Sequence, residues 1–325
     1  MTTFKEIRGT TIEVVSTDPT NPEIGQIWYN SSSGTLKGYQ LANVNAWASG
    51  GNLNTARDYL TGAGTQTAGL AFGGYTTAVS SATELYNGTS WTSNPTGLNT
   101  ARNGLGAAGT QTAALAFGGS TYPGPNVANT ESWNGSSWTT VNSMNTARAS
   151  LRNAGIQTAA LAFGGYTTTF TGATESWNGT SWTTLPATMN TARRNFAGCG
   201  TQTAALGFAG SAAPGNFANT ESWNGSSWTN VNSMNTARQV LAGAGTQTAA
   251  LGFGGLTTVA TGATESWNGT SWTNTTSMST ARWALGGIGT QTAGLGFGGY
   301  NGTTRVTATE EWTGQANQTK TITVS

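Results

Sequence analysis

Six glutamates and six arginines recur at a fixed phase along this chain of 325 residues. Glu84, Glu131, Glu175, Glu221, Glu265 and Glu310 are half of its twelve acids, and Arg57, Arg102, Arg148, Arg193, Arg238 and Arg282 are six of its thirteen basic residues. Carboxylates repeated in this way could line a site, holding a cation or moving protons. They could equally be consumed in buried ion pairs, each planar guanidinium meeting one carboxylate. Because the same two residues occur in every repeat, a structural duty is the stronger reading. The expected arrangement is one fork-like pair per repeat, with Glu131 matched to Arg148. The thirteen tryptophans pose a similar choice. Indole faces stack on sugars, but a fixed phase points to packing between neighbouring repeats, where each ring buries a large apolar area.

What the chain lacks narrows the chemistry further. It has no histidine, and Cys199 is its one cysteine, which removes histidine acid/base work, His or Cys metal sites and intrachain disulfides together. Cys199 stands where sibling repeats carry Gly or Ala, so it is expected to be an inert small core residue. Outside the repeated glutamates only Asp58 and Glu311 are acidic within the repeat region. A non-enzyme with no cofactor and no metal is the expectation. Charged residues are 8% of the chain and the net charge is +1, against a usual charged share of roughly 25%. No basic run offers a footprint for nucleic acid or an anionic membrane. The start, MTTFKEIRGTTIEVVS, lacks the apolar core of a secretory signal, and no stretch approaches the ~18 to 20 apolar residues of a membrane span. Synthesis in a cytoplasm without signal-directed export follows as the expectation.

The elements that must position these residues come from the period itself. NTESWNGSSWTTVNSMNTAR at 129–148 returns at 219–238 with one change, Thr140 becoming Asn230, and the six repeat arginines are spaced 45, 46, 45, 45 and 44 residues apart. A period of that size marks a repeat architecture. Each unit divides into four short strands: an Ala/Gly-rich segment, then QTAALAFGG, then Thr-Glu-x-aromatic, then a strand opening on the second tryptophan. Leu115 and Phe117 share one face by the two-residue period of a strand. The Asn-Gly step between the last two strands predicts a tight type I′ hairpin, which needs positive φ at both central residues. Asn87, Asn134, Asn178, Asn224 and Asn268 also satisfy the N-x-[ST] glycosylation pattern, but they sit between strands and read as turns. Trp47 lies ten residues before Arg57, so by phase it belongs to the repeat. Four antiparallel strands per unit describe a β-propeller blade.

The order Arg102, ALAFGG at 114–119, Glu131, Trp133, Trp138 resembles the kelch repeat. The NTAR and GTQTAALAFGG wording, with the leader GQIWYNSSSGTLKGY, is similar to kelch-like proteins of tailed bacteriophages. The resemblance implies an all-β, kelch-like propeller of four-stranded antiparallel blades. Seven blades are expected, with IWYN, TLKGYQ and AWAS making most of the closing blade and a terminal strand such as TKTITVS completing it. Six blades are the alternative, with the strand at Trp47 finishing the last unit. The expected domains are an attachment segment over residues 1–26 and a propeller over 27–325, with six full repeats from about residue 52 and residues 27–51 supplying strands to the closing blade. As a function, the resemblance implies a non-enzymatic virion structural protein, a tail-fibre or other appendage component. Its partners would be other virion proteins through the N-terminal segment and a host surface glycan or receptor, in a homo-oligomer if it follows other phage fibres. A lectin-like adhesin and a kelch-type enzyme acting on surface polysaccharide are the alternatives.

Variation is concentrated between the Gly-Gly step and Thr-Glu, where the loops read YTTAVSSA, STYPGPNVAN, YTTTFTGA, SAAPGNFAN, LTTVATGA and YNGTTRVTA. In an up-and-down blade this loop shares a face with the link to the next blade. Varied loops on an invariant scaffold mark a recognition surface. Tyr75, Tyr122, Tyr166, Phe170, Phe217, Tyr300 and Arg305 are its candidate binding residues. Trp283 is the outlier of the position after the repeat arginine, which elsewhere holds Asp58, Asn103, Ala149, Arg194 and Gln239.

Overall fold

The computed structural model describes residues 12–23, 25–42, 45–213 and 215–322. Among them every regular element is a β-strand. The chain divides into two compact units, one of residues 46–313 and one formed by the residues up to Asn45 with those from Gly314.

Residues 46–313 hold six four-stranded antiparallel sheets and a two-stranded ribbon, Ser211–Ala212 with Gly215–Asn216. This is the arrangement of β-propeller blades. The second sheet is representative, with strands Gly106–Gly109, Ala114–Phe117, Thr130–Trp133 and Trp138–Val141 in spatial order. Its second strand, ALAF, is buried at all four positions, while the outer strand, WTTV, buries its tryptophan and leaves both threonines exposed. The all-apolar strand is thus covered on both faces, and the outer strand is covered only at its tryptophan and, in part, at its last residue. After it, Gly118 and Gly119 take φ of 63° and 102°, and a Cβ at Gly118 would lie 2.8 Å from the carbonyl oxygen of Arg148. Where the fourth unit has Ala209 instead, the alanine is held at φ 62°, a conformation L side chains rarely adopt.

The innermost strands neighbour one another in chain order, and the last, Gly286–Gly289, lies beside the first, Thr61–Gly64. At one end of this inner layer a chain of backbone hydrogen bonds runs head to tail. Gly104 donates to Tyr59, Ser150 to Gly104, Asn195 to Ser150, Val240 to Asn195, Ala284 to Val240 and Tyr59 to Ala284, over 2.6 to 3.2 Å. All six donors have positive φ, between 49° and 59°.

Two expectations need correction. The strand Ala46–Ser49 pairs with Thr309–Thr313, Trp47 opposite Trp312, and so completes the sheet of the last unit. It does not join the leader hairpin in a sheet. The phase of Trp47 explains this, since its ring packs on Phe253 and Trp312 as its siblings pack on theirs. The hairpin between the third and fourth strands is also wider than a type I′ turn. Tyr86 pairs with Trp91, leaving the four residues Asn87–Ser90 as the loop, and only Gly88 has positive φ. The Asn87 Oδ1 accepts from the backbone N–H groups of Thr89 and Ser90 at 3.0 and 2.9 Å, an Asx cap that fixes this loop.

In the other unit, Glu13–Val15 runs parallel to Ile27–Asn30, which pairs antiparallel with Thr35–Ala42, and that strand with Ala316–Thr321. Of the expected attachment segment, residues 1–11 lie outside the described residues, as do the last three residues of the expected terminal strand. Asp18 organises this sheet. Its carboxylate accepts from Lys37 Nζ at 2.7 Å, Asn30 Nδ2 at 2.7 Å and the indole of the fully buried Trp28 at 3.0 Å. These donors, Lys37 foremost, lower its pKa from 3.8 to about 2. A carboxyl depressed by folding stabilises the fold above its unfolded pKa and loses that contribution as pH falls through its folded one. The Trp28 indole N–H resonance should therefore titrate with a midpoint near pH 2. In Asp18→Asn that titration should vanish, and its persistence would assign the effect to another group.

Candidate functional site

The recurrent ions are buried and paired. Arg57, Arg102, Arg193 and Arg282 place Nη2 3.0 to 3.2 Å from Oε1 of Glu84, Glu131, Glu221 and Glu310, Arg148 meets Glu175 at 3.3 Å, and Arg238 reaches Glu265 through Nη1 at 2.5 Å. The partner of Glu131 is Arg102 and not Arg148, which pairs with Glu175: the arginine belongs to the blade it enters. Nor is the contact a fork. The other guanidinium nitrogen turns to backbone, Arg102 Nη1 donating to Asn129 O at 2.7 Å. The second carboxylate oxygen accepts the link's own amide, Glu131 Oε2 from Asn99 N at 2.6 Å. Each pair therefore staples the link, Asn-Thr-Ala-Arg in five units and Ser-Thr-Ala-Arg at 279–282, to the third strand. With both partners within 3% of full burial, these carboxylates do not form a solvent-accessible acidic ring.

The second tryptophan of each unit crosses to the preceding blade. The Trp138 ring sits 4.7 Å from that of Phe72, and its Nε1 donates to Thr83 Oγ1 at 3.0 Å. Trp182, Trp228 and Trp272 do the same with Phe117 and Thr130, Phe163 and Thr174, Phe208 and Thr220. Trp91 meets Phe297 and Thr309 of the last blade, and Trp47 meets Phe253 and Thr264. A glutamine repeats the crossing, as Gln111 Nε2 donates to Gly69 O and Tyr86 O at 3.0 and 2.6 Å. These indoles are engaged between blades and offer no face to a sugar. Cys199 is likewise buried, its Sγ against Thr246 O at 3.4 Å, and burial raises its thiol pKa to about 12.

Aromatic side chains do gather on the loop face. The residue after each repeat arginine bridges to the residue after Gly-Gly, Asp58 to Tyr75, Ala149 to Tyr166 and Trp283 to Tyr300. Trp283 packs against both Tyr300 and Tyr59, at 5.2 and 5.9 Å. Tyr75 lies 6.1 Å from Tyr122, and Tyr166 lies 5.6 Å from Phe170. Arg305 covers the Tyr75 ring at 4.7 Å while its Nε meets Asp58 at 3.0 Å. Burial pushes the Asp58 carboxyl up, and Arg305 pulls it back down. Arg194 lies over Tyr166 and Phe170 at 4.7 and 5.5 Å. Phe217 is half-buried on the fourth blade. Aromatic rings stand at this bridge in the sixth, first and third blades, as Tyr300, Tyr75 and Tyr166, whereas the second, fourth and fifth present Ser120, Ser211 and Leu256 there and the second adds Tyr122 from its loop.

Among these rings lies a cleft of about 250 Å³, bounded by Tyr59, Asn103, Tyr122, Tyr166, Arg194 and Asn195 among others. Tyr122 is the most exposed of its rings, at 59%. Of the candidate loop residues only Tyr122 and Tyr166 line it. The sequence marks Asn103 and Arg194 as variable but not as candidates for the site, and singles out neither Tyr59 nor Asn195. The signal that could have found them is variation at the first and second positions after the repeat arginine. The chain matches no protein-family model and no curated protein sequence.

Proposed function

We propose that residues 46–313 form a closed six-bladed propeller of kelch-like kind that works by recognition, and that its loop-face cleft takes carbohydrate. The observation that carries the carbohydrate reading is the cleft itself. It combines the exposed ring of Tyr122 and the partly exposed rings of Tyr59 and Tyr166 with amide, hydroxyl and guanidinium groups, the mixture that a sugar's apolar face and hydroxyl rim require. Closure at six is supported by the tryptophan and glutamine crossings, which recur from the sixth blade to the first as between all others. The head-to-tail backbone hydrogen bonds support it too, returning from Ala284 to Tyr59. The kelch-like wording of the repeats and the leader favours a virion appendage of a tailed bacteriophage, with the propeller turned to a host surface glycan.

The test is a glycan array probed with the full-length chain. A defined glycan should bind, and Tyr122→Ala and Tyr166→Ala should each weaken it by about tenfold or more, as central aromatic anchors do. An array silent at every glycan, from a chain that electron microscopy finds in purified virions, would make the propeller a spacer. Release of reducing ends from a bound polysaccharide would overturn the non-enzymatic reading.

A further inference from the structure

The inner layer of the propeller lines a second cavity beside the cleft. It has a volume of about 60 Å³, and its polar lining comes from Tyr59, Thr61, Ser150, Arg152, Asn153 and Asn195. By the volume one water needs, that is room for a few waters or one tetrahedral oxyanion, and too little for a sugar ring. The cavity borders another of about 130 Å³, walled by the Gly- and Ala-rich inner strands, with which it shares Gly62, Asn153, Gly198, Gly243 and Gly287.

Arg152 is the only charged residue in either lining. The fold does not ask for a cation there: the register-equivalent residues of the other inner strands are Thr61, Gly106, Ala197, Ala242 and Gly286. Nor does the chain neutralise it. Among the described residues six arginines have a glutamate, and Arg305 has Asp58. Arg194 stacks on Tyr166 and Phe170. Arg152 spends Nη1 on the carbonyl of Leu151 at 2.8 Å, and the one ionisable group acting on it is the Tyr59 phenol. Burial lowers its pKa to about 10, so it remains a cation at neutral pH. The side chain keeps partial contact with solvent, so water can hydrate the guanidinium, and an anion entering the cavity would meet a cation with no carboxylate beside it among the described residues.

We propose that this axial cavity binds one small oxyanion, of the sulfate, phosphate or carboxylate class, on the Arg152 guanidinium. The planar donor fork suits two oxygens of such an anion. Thr61, Ser150, Asn153 and Asn195 supply hydroxyls and amides around it. The site adjoins the sugar cleft, sharing Tyr59, Gly104, Ser150 and Asn195 with it, but Arg152 lines only the axial cavity and Arg194 only the cleft.

Equilibrium dialysis of the full-length chain against radiolabelled sulfate at low ionic strength tests the assignment. One saturable sulfate per chain is expected, displaced by inorganic phosphate and by acetate. Arg152→Thr, which installs the residue of the first blade and so should fold, should weaken binding by about tenfold or more. Arg194→Gln should leave it unchanged. Arg152→Lys, which keeps the charge without the fork, should bind detectably more weakly than the native chain. That variant decides the matter if Arg152→Thr does not fold. No saturable sulfate, undiminished binding in both Arg152 variants, or loss of binding in Arg194→Gln would overturn the site.

Discussion

Glu131→Ala should lower stability by about 3 to 5 kcal/mol, the cost of stranding one member of a buried ion pair. Arg102 and Glu131 are both fully buried. Burial already pulls the Arg102 pKa down to about 10 against the opposing pull of Glu131. Without the carboxylate, Arg102 keeps its carbonyl partners but loses its only counter-charge. The link loses as much, because the Asn99 and Thr100 amides donate to the same carboxylate at 2.6 and 3.3 Å. Equilibrium urea unfolding measures the loss. The double variant Arg102→Met with Glu131→Leu, which removes both charges, should recover a large part of it. A single variant within about 1 kcal/mol of the native chain would falsify the view that the pair holds the link, since exposed pairs are worth no more than that.

Trp138→Ala should cost a similar amount, about 3 to 5 kcal/mol, by opening a cavity between the first and second blades. Its ring fills the space beside Phe72 and Trp133, and its indole N–H satisfies Thr83 across the blade boundary. Trp138→Phe separates the two contributions. It keeps most of the packing and loses the hydrogen bond, so about 1 to 3 kcal/mol should remain lost. Trp47→Ala should cost less than Trp138→Ala, because Trp47 is only half-buried. Equal losses at the two positions would mean that burial of the indole does not set the stability of these interfaces.

The strand content of the blades was legible because each carries its own period. Leu-x-Phe, Thr-Glu-x-Trp and the Gly-Gly step recur in register, and local alternation suffices to place them. The partner of Glu131 was not legible, for a repeat cut anywhere along its period leaves one arginine on each side of the glutamate. Only the direction in which the link folds selects Arg102. The pairing of the leader hairpin with a terminal strand was legible, since Thr35–Ala42 does lie beside Ala316–Thr321. What was misplaced is Ala46–Ser49, grouped with the leader although the phase of Trp47 ties it to the last unit. The turn was misread because Asn-Gly supports both a two-residue turn and an Asn-capped four-residue loop. The loop face was partly legible. Tyr122 and Tyr166 stood in the variable loops, but Arg194 and Tyr59 sit in links that read as scaffold, and the cleft needs both.

The pairing of Ala46 with Thr313 has a mechanical consequence. Ala46 opens its strand and Thr313 closes the antiparallel strand beside it, so the two covalent exits of residues 46–313 leave side by side from the same end of that pair, and both lead into segments of the other compact unit. A load passed between the units is then carried by two strands side by side instead of one. Tension drawn through a single exit would peel Ala46–Ser49 from its neighbour one hydrogen bond at a time; tension shared by both exits pulls the pair together and leaves the seam closed. A protease cut in either crossing would leave the propeller tethered by the other.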